Sequence, residues 1–149
     1  MSYAGNTTDL VFDVTGYYSY DSGGAAYVPI DPARLLDTRS GNGRSGVLSA
    51  NTPAKFQITG REDIPAYATA VSGNVTVVNE TYSWAVYVGP DPVVTPGSST
   101  LNFNKGDIVA NGLTVRLGSD GMLSATYMSF AGYTTDLVFD VTGYFVPVE

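Results

Sequence analysis

Residues 129–145 read SFAGYTTDLVFDVTGYF, and residues 2–18 read SYAGNTTDLVFDVTGYY. The two segments agree at 14 of 17 positions, and their starts lie 127 residues apart. A spacing of this size is the length of a domain and exceeds the roughly 20–50 residues of a solenoid repeat. The duplication therefore predicts a tandem array of domains, in which this chain holds one whole unit and the end of the unit before it.

The duplicated segment has the pattern of a β-strand that ends at a glycine. Side chains two residues apart share a face of a strand, so the leucine, phenylalanine and valine of each copy point to one side. The N-terminal copy is expected either to pair along an edge of its own domain or to enter a sheet of another molecule, which predicts head-to-tail assembly. The residues on this side, named here the assembly-strand residues, are Leu10, Phe12, Val14, Leu137, Phe139 and Val141.

The remaining sequence predicts short strands joined by tight turns. Charged residues make up 14% of the chain, below the roughly 25% of an average domain, while turn-forming and β-branched residues are plentiful. No segment keeps a 3.6-residue apolar period, so we expect helix only as a turn near Pro32 and Ala33. Ser119–Gly121 carries a hairpin signal between the last two strands before the C-terminal copy. About nine to eleven strands predict an all-β fold, a two-sheet antiparallel β-sandwich of jelly-roll type.

Three segments follow from the duplication. Residues 1–18 are predicted to be the C-terminal strand of the preceding repeat. Residues 19–26 read SYDSGGAA, which is polar and glycine-rich like a flexible linker between domains. Residues 27–149 are then one complete β-sandwich repeat.

Composition excludes several classes of function. The net charge is −7, and no stretch gathers the basic residues that phosphate contacts require, so we expect no nucleic-acid partner. No apolar run approaches the ~20 residues of a membrane span, so we expect no membrane insertion. The chain has no cysteine and no histidine, which removes disulfides, thiolate metal sites and catalysis by either residue. With no convincing pair of acids, we predict that the module is not an enzyme and has no catalytic residues.

The unit also resembles a known kind of repeat. Residues 28–39 read VPIDPARLLDTR, residues 99–103 read STLNF, and residues 140–145 read DVTGYF. In these motifs, and over residues 27–145, the chain resembles a repeat module of large secreted and cell-surface proteins of actinobacteria and Chloroflexi. The resemblance implies a secreted or surface-exposed bacterial module, in tandem or appended to exported enzymes such as cell-wall hydrolases. It implies no particular activity or ligand.

The RLLDTR motif supplies the most specific polar cluster, made of Arg34, Asp37, Thr38 and Arg39. A paired arginine and aspartate beside a glycine-rich loop can hold a carboxylate or a sugar through bidentate hydrogen bonds. The alternative is a structural loop cluster, in which the ion pair fixes the loop and the threonine bonds to backbone. Partly buried ion pairs usually fix conformation, which favours the structural interpretation.

Aromatic residues suggest a second candidate site, a glycan-binding surface. Tyr82, Trp84 and Tyr87 lie close together in sequence, and sugars stack on exposed aromatic rings. Trp84 begins the apolar run WAVYV, which predicts a strand buried on both faces with this tryptophan in the core.

We predict no metal and no cofactor, with two chemical alternatives. Asp91, Asp107 and Asp120 fall in predicted loops, where their carboxylates offer ligands for Ca²⁺. An intramolecular isopeptide crosslink needs a lysine, an asparagine or aspartate, and an acidic catalyst buried together, and the chain has only Lys55 and Lys105.

Two functions remain open from the sequence. The first is a non-catalytic extracellular structural module of a tandem-repeat surface protein or fibre, with neighbouring repeats or copies of itself as partners. The alternative is a carbohydrate- or cell-wall-binding module appended to an exported enzyme, with extracellular polysaccharide as its partner.

Overall fold

The computed structural model describes residues 7, 9–20 and 23–148 of the chain. The predictions for residues 1–6, 8, 21, 22 and 149 lie outside the described residues. Nine strands and no helix form in the described part. The strands are β1 (Ala25–Asp37), β2 (Leu48–Ser49), β3 (Ala54–Gln57), β4 (Ala70–Val78), β5 (Trp84–Gly89), β6 (Leu101–Phe103), β7 (Val109–Arg116), β8 (Met122–Met128) and β9 (Thr134–Pro147).

The strands form two antiparallel sheets. The first has the order β1-β9-β4-β7, with the short β2 also paired to the start of β9, and the second has the order β3-β8-β5-β6. Apart from β2, and from β5 and β6, which follow one another in the second sheet, successive strands belong to different sheets, and the two strand orders are those of a jelly roll. The predicted all-β, two-sheet sandwich is therefore confirmed.

A single apolar core lies between the sheets. Leu137, Phe139 and Val141 are fully buried in it, as their alternation predicts, and the Phe139 ring meets Phe56 of the opposite sheet edge-on at 6.0 Å. Full burial of such a side chain contributes about 1.5–3 kcal/mol. Because β9 lies between β1 and β4, the C-terminal copy of the duplicated segment is the centre of the first sheet.

β1 is longer than the sequence predicted. It begins at Ala25, inside the predicted linker, and continues through Pro32 and Ala33, where we expected a helical turn. That expectation is wrong. The register of β1 against β9 shifts between Pro29 and Ala33, and a proline fits such a bulge in an edge strand because it has no N–H to donate.

The Ser119–Gly121 turn is present but does not form a hairpin. Gly118 N donates to Met122 O at 2.9 Å, and Gly121 has a φ of 72°, as a glycine turn requires. The strands on either side, β7 and β8, belong to different sheets, so the hairpin prediction is wrong. An Asp-Gly sequence specifies the local backbone, whereas the two sheets on which the flanking strands pair are set by distant residues.

The described residues of the N-terminal copy form no strand. Leu10 is 91% exposed, Phe12 83% and Val14 69%, although their counterparts in β9 are fully buried. The expectation that this copy pairs along an edge of its own domain is therefore wrong for residues 9–18. In the first sheet, the position between β1 and β4 that would suit the N-terminal copy is occupied by β9.

Candidate functional site

The RLLDTR motif lies at the end of β1 and faces β9. Arg34 stands directly opposite Asp140 in the sheet. Its guanidinium group holds that carboxylate with two bonds, from Nε to Oδ1 at 2.8 Å and from Nη2 to Oδ2 at 3.1 Å. The pKa of Arg34 is raised, chiefly by this hydrogen bond to Asp140. A bidentate pair of this kind also fixes the register of the two strands.

Asp37 is buried at the end of β1 and accepts hydrogen bonds on both oxygens. Arg39 donates from Nε to Oδ1 at 2.9 Å and from Nη2 to Oδ2 at 2.7 Å, and its backbone N also reaches Oδ1. Arg34 Nη1 approaches Oδ2 at 3.4 Å. The side-chain hydrogen bonds from Arg39 are the largest cause that lowers the pKa of Asp37 to about 2. Both arginines are therefore engaged by carboxylates of the chain, which favours the structural interpretation of the cluster.

Thr38 connects the motif to the start of β9. Its hydroxyl donates to Asp136 Oδ1 at 2.6 Å and accepts from Leu137 N at 3.1 Å. Asn79, just after β4, donates from Nδ2 to Asp136 Oδ2 at 3.0 Å. Asp136 and Asp140 were missed as partners of this motif, although both belong to the duplicated segment and recur as Asp9 and Asp13.

The glycine-rich loop after the motif packs back onto β1. Asn42 donates from Nδ2 to Arg34 O at 2.8 Å, and Arg61 donates to both Leu35 O and Asn42 Oδ1. Gly43 has a φ of 72°, and a Cβ there would lie 2.2 Å from Leu35 O. Only glycine fits this position, so the loop is a rigid part of the β1–β9 seam, defined here as Arg34–Arg39 with Asn42, Asn79, Asp136 and Asp140.

A second cluster, the aromatic row, is made of Tyr82, Trp84, Phe130 and Tyr133 and lies beside the start of β9. The Phe130 ring meets Tyr82 at 5.6 Å and Trp84 at 5.5 Å, both edge-on, and Tyr82 stacks on Tyr133 at 4.5 Å. Phe130 is 57% exposed, Trp84 52% and Tyr82 36%. Exposed aromatic rings in contact form an apolar surface with polar tyrosine edges.

The structure corrects two expectations for the predicted aromatic site. Trp84 is half exposed and not in the core, because it is the first residue of β5 and lies at the end of the sheet, beyond the buried Val86 and Val88. Tyr87 lies on the opposite face of β5, since it is three positions after Trp84 and side chains alternate between the faces of a strand. Phe130 and Tyr133 were missed because they precede β9 by one turn and are distant from Tyr82 in sequence.

A buried carboxylate, Glu80, lies near the aromatic row without a hydrogen bond. Glu80 is 4% exposed, and neither of its carboxylate oxygens has a hydrogen-bond partner among the described residues. Tyr127 beside it donates its hydroxyl to Tyr82 O at 2.6 Å. Burial chiefly raises the pKa of Tyr127, and the Glu80 charge adds to this. The sequence offered no signal for Glu80.

The candidate calcium ligands do not meet. Asp120 forms an exposed ion pair with Lys55, Asp107 accepts hydrogen bonds from Asn104, and Asp91 lines a shallow depression beside Arg116. Within residues 7, 9–20 and 23–148, no three acidic side chains lie close enough to hold a metal ion. The crosslink chemistry also lacks its buried lysine, because Lys55 and Lys105 are both at the surface.

No helix in the described part of the chain is suited to crossing a membrane. Neither a known protein family nor a curated protein matches this chain in sequence.

Proposed function

We propose that the chain is a non-catalytic structural module of a bacterial tandem-repeat protein that is secreted or displayed at the cell surface. The single observation that carries the proposal is that the two copies of the duplicated segment are placed differently. One copy is an inner strand of the first sheet, and the described residues of the other copy belong to neither sheet, with Leu10, Phe12 and Val14 exposed. Such a segment has a structural role if it closes a neighbouring unit.

The seam between β1 and β9 supports this proposal. Arg34 and Thr38 of the RLLDTR motif bind Asp140 and Asp136 of the duplicated segment, so the two most distinctive motifs of the sequence serve one contact. Asp9 and Asp13 repeat those carboxylates in the N-terminal copy. A preceding unit with the same motif would bind them in the same way. In a structural repeat, each unit has the same fold and makes the same contact with its neighbour.

Extracellular placement rests on composition and on the resemblance of the repeat motifs. The excess of acidic residues and the scarcity of charges overall suit a soluble surface module without disulfides. Its partners are then neighbouring repeats or further copies of itself.

The proposal includes head-to-tail assembly by strand pairing, in which the N-terminal copy of one molecule enters the first sheet of another. The test compares the whole chain with a chain that lacks residues 1–18, by size-exclusion chromatography and electron microscopy over a range of concentrations. We expect concentration-dependent oligomers or filaments only when residues 1–18 are present. A monomer in both cases would contradict assembly.

A carbohydrate- or cell-wall-binding module, as appended to exported enzymes, is the second candidate, and the aromatic row favours it. Tyr82, Phe130 and Trp84 place three exposed rings side by side, which is a surface suited to stacking of sugar rings. Trp84→Ala and Phe130→Ala should abolish binding to a polysaccharide recognised on a glycan array. Tyr67→Ala is the control, because Tyr67 is an exposed aromatic residue that lies outside the row. If the control weakens binding as much as the row variants do, the row is not the site.

A further inference from the structure

β9 occupies a position with demanding requirements, which we call the β9 slot. It lies between β1 and β4 and forms antiparallel ladders with both. The face toward the core requires the spacing of Leu137, Phe139 and Val141, which are all fully buried. A strand that enters the slot must therefore present leucine, phenylalanine and valine at alternate positions.

The other face of the slot is as specific. Asp136 is bound by Thr38 and Asn79, and Asp140 is bound by Arg34. Gly143 lies under the Tyr27 ring, where a Cβ would meet ring atoms at 2.4 Å. The slot thus selects two aspartates four residues apart and a glycine three residues beyond the second.

Residues 9–18 meet every one of these requirements. They match residues 136–145 at nine of ten positions, and the single difference places Tyr18 where Phe145 packs against Tyr27 at 5.1 Å between ring centroids. A tyrosine keeps the ring that this contact needs. The counterparts of the residues that the slot selects are Asp9, Leu10, Phe12, Asp13, Val14 and Gly16.

The slot is within reach of residues 9–18 in the same molecule. β9 runs antiparallel to β1 with Phe145 opposite Tyr27, so Tyr18 would stand opposite Tyr27 across a gap of about 4.8 Å. Residues 19–26 join the two, which makes the arrangement a hairpin with an eight-residue loop. Thr15–Ser19 already line a groove with Ala70 and Phe145, at the end of the slot where this hairpin would form.

We propose that residues 9–18 are a second closing strand for this same unit, which takes the place of β9 in the slot. The exchange releases residues 129–148 as a free strand that fits the slot of another unit. β9 holds the slot in this structure because it brings contacts that the N-terminal copy lacks. Tyr133 stacks on Tyr82 where the N-terminal copy has Asn6, and Val146 and Pro147 pair with Ala26 and Ala25. The inference needs no second molecule and goes beyond the tandem-array function.

Three full-length variants test the exchange by hydrogen exchange and mass spectrometry. In the unchanged chain, we expect residues 137–141 to be protected and residues 10–14 to exchange rapidly. Phe139→Asp bars β9 from the core, and we expect a folded monomer in which protection moves to residues 10–14. Phe12→Asp alone should leave the native pattern, because Phe12 is exposed. Phe12→Asp combined with Phe139→Asp should lose protection in both segments and unfold the unit.

Gly143→Val supplies a second way to bar β9, since the added side chain collides with Tyr27. Gly16→Val is its matched partner, because nothing lies within 4 Å of a Cβ at Gly16 in this structure. The proposal is overturned if Phe139→Asp and Gly143→Val are as unfolded as the double variant, or if they fold only as dimers. These outcomes concern a monomer, so they do not depend on whether the unchanged chain assembles head to tail.

Discussion

At the scale of single residues, Asp37 is the main hydrogen-bond acceptor that fixes the loop after β1. Its buried carboxylate accepts two side-chain bonds and one backbone bond from Arg39, and Arg34 Nη1 donates to Oδ2 at 3.4 Å. Removing one partner of a buried charged cluster leaves the others without compensation. The stability of the loop therefore depends on the ionisation of Asp37, and so on pH.

The depressed pKa of Asp37, about 2 against an ordinary 3.8, predicts a pH dependence of stability. Because the pKa is lowered by folding, the contribution is full above pH 3.8 and is lost as pH falls toward 2. Its size is about 1–2 kcal/mol after allowance for solvent screening. Denaturant unfolding of the unchanged chain and Asp37→Asn should differ at pH 7 and converge near pH 2. If the free energies of unfolding of the two proteins differ by the same amount at every pH, this role of Asp37 is excluded.

Thr38 offers a test of the seam that involves no arginine. Thr38→Val keeps the shape of the side chain but removes the donor to Asp136 and the acceptor for Leu137 N. A buried group left without its partner costs about 1–3 kcal/mol, so the free energy of unfolding should fall by that amount. Thr52→Val at an exposed position should change it by less than about 0.5 kcal/mol. Equal effects in urea unfolding would mean that the seam contributes nothing specific.

At the scale of strands, the sequence predicted the buried face of β9 and the approximate positions of most strands, because alternation and turn residues encode both. The inward face of Leu137, Phe139 and Val141 follows from a period of two, and the positions of most strands follow from β-branched runs between turns. The ends of elements escaped prediction, because burial there depends on partners that are distant in sequence. Trp84 is exposed for this reason.

The same limit explains the missed parts of the candidate sites. Phe130 meets Tyr82 and Trp84 only because β4, β5 and β9 bring separate loops to one end of the sandwich. The Asp136 and Asp140 partners of the RLLDTR motif depend on the antiparallel register of β1 and β9, which no local pattern specifies.

β8 is the strand of the second sheet on which the core should be most sensitive. It lies between β3 and β5, and Leu123 is fully buried there. Leu123→Ala should lower the free energy of unfolding by about 2–5 kcal/mol, because it removes apolar contact and leaves a cavity. Val94→Ala, at an exposed loop position, should cost less than about 0.5 kcal/mol by the same measurement. A small loss for Leu123→Ala would show that the sheets are not packed as described.

At the scale of the whole molecule, the chain enters and leaves the unit at one end. Gly24 precedes β1, Val148 follows β9, and Val148 N donates to Gly24 O at 3.4 Å. The aromatic row lies beside the start of β9, about 40 Å away at the rise of a 14-residue strand. In the proposed array, the junction between units would lie at one end of each unit, and the aromatic row would lie at the opposite end.

The proposed tandem array requires residues 1–18 to be the closing strand of a preceding unit. A chain made of residues 19–128 followed directly by residues 2–148 supplies that unit with its missing strand. Hydrogen exchange should then show residues 9–18 as strongly protected as residues 136–145, in a monomer with two folded units. Rapid exchange at residues 9–18, with only one unit folded, would contradict this role for the segment.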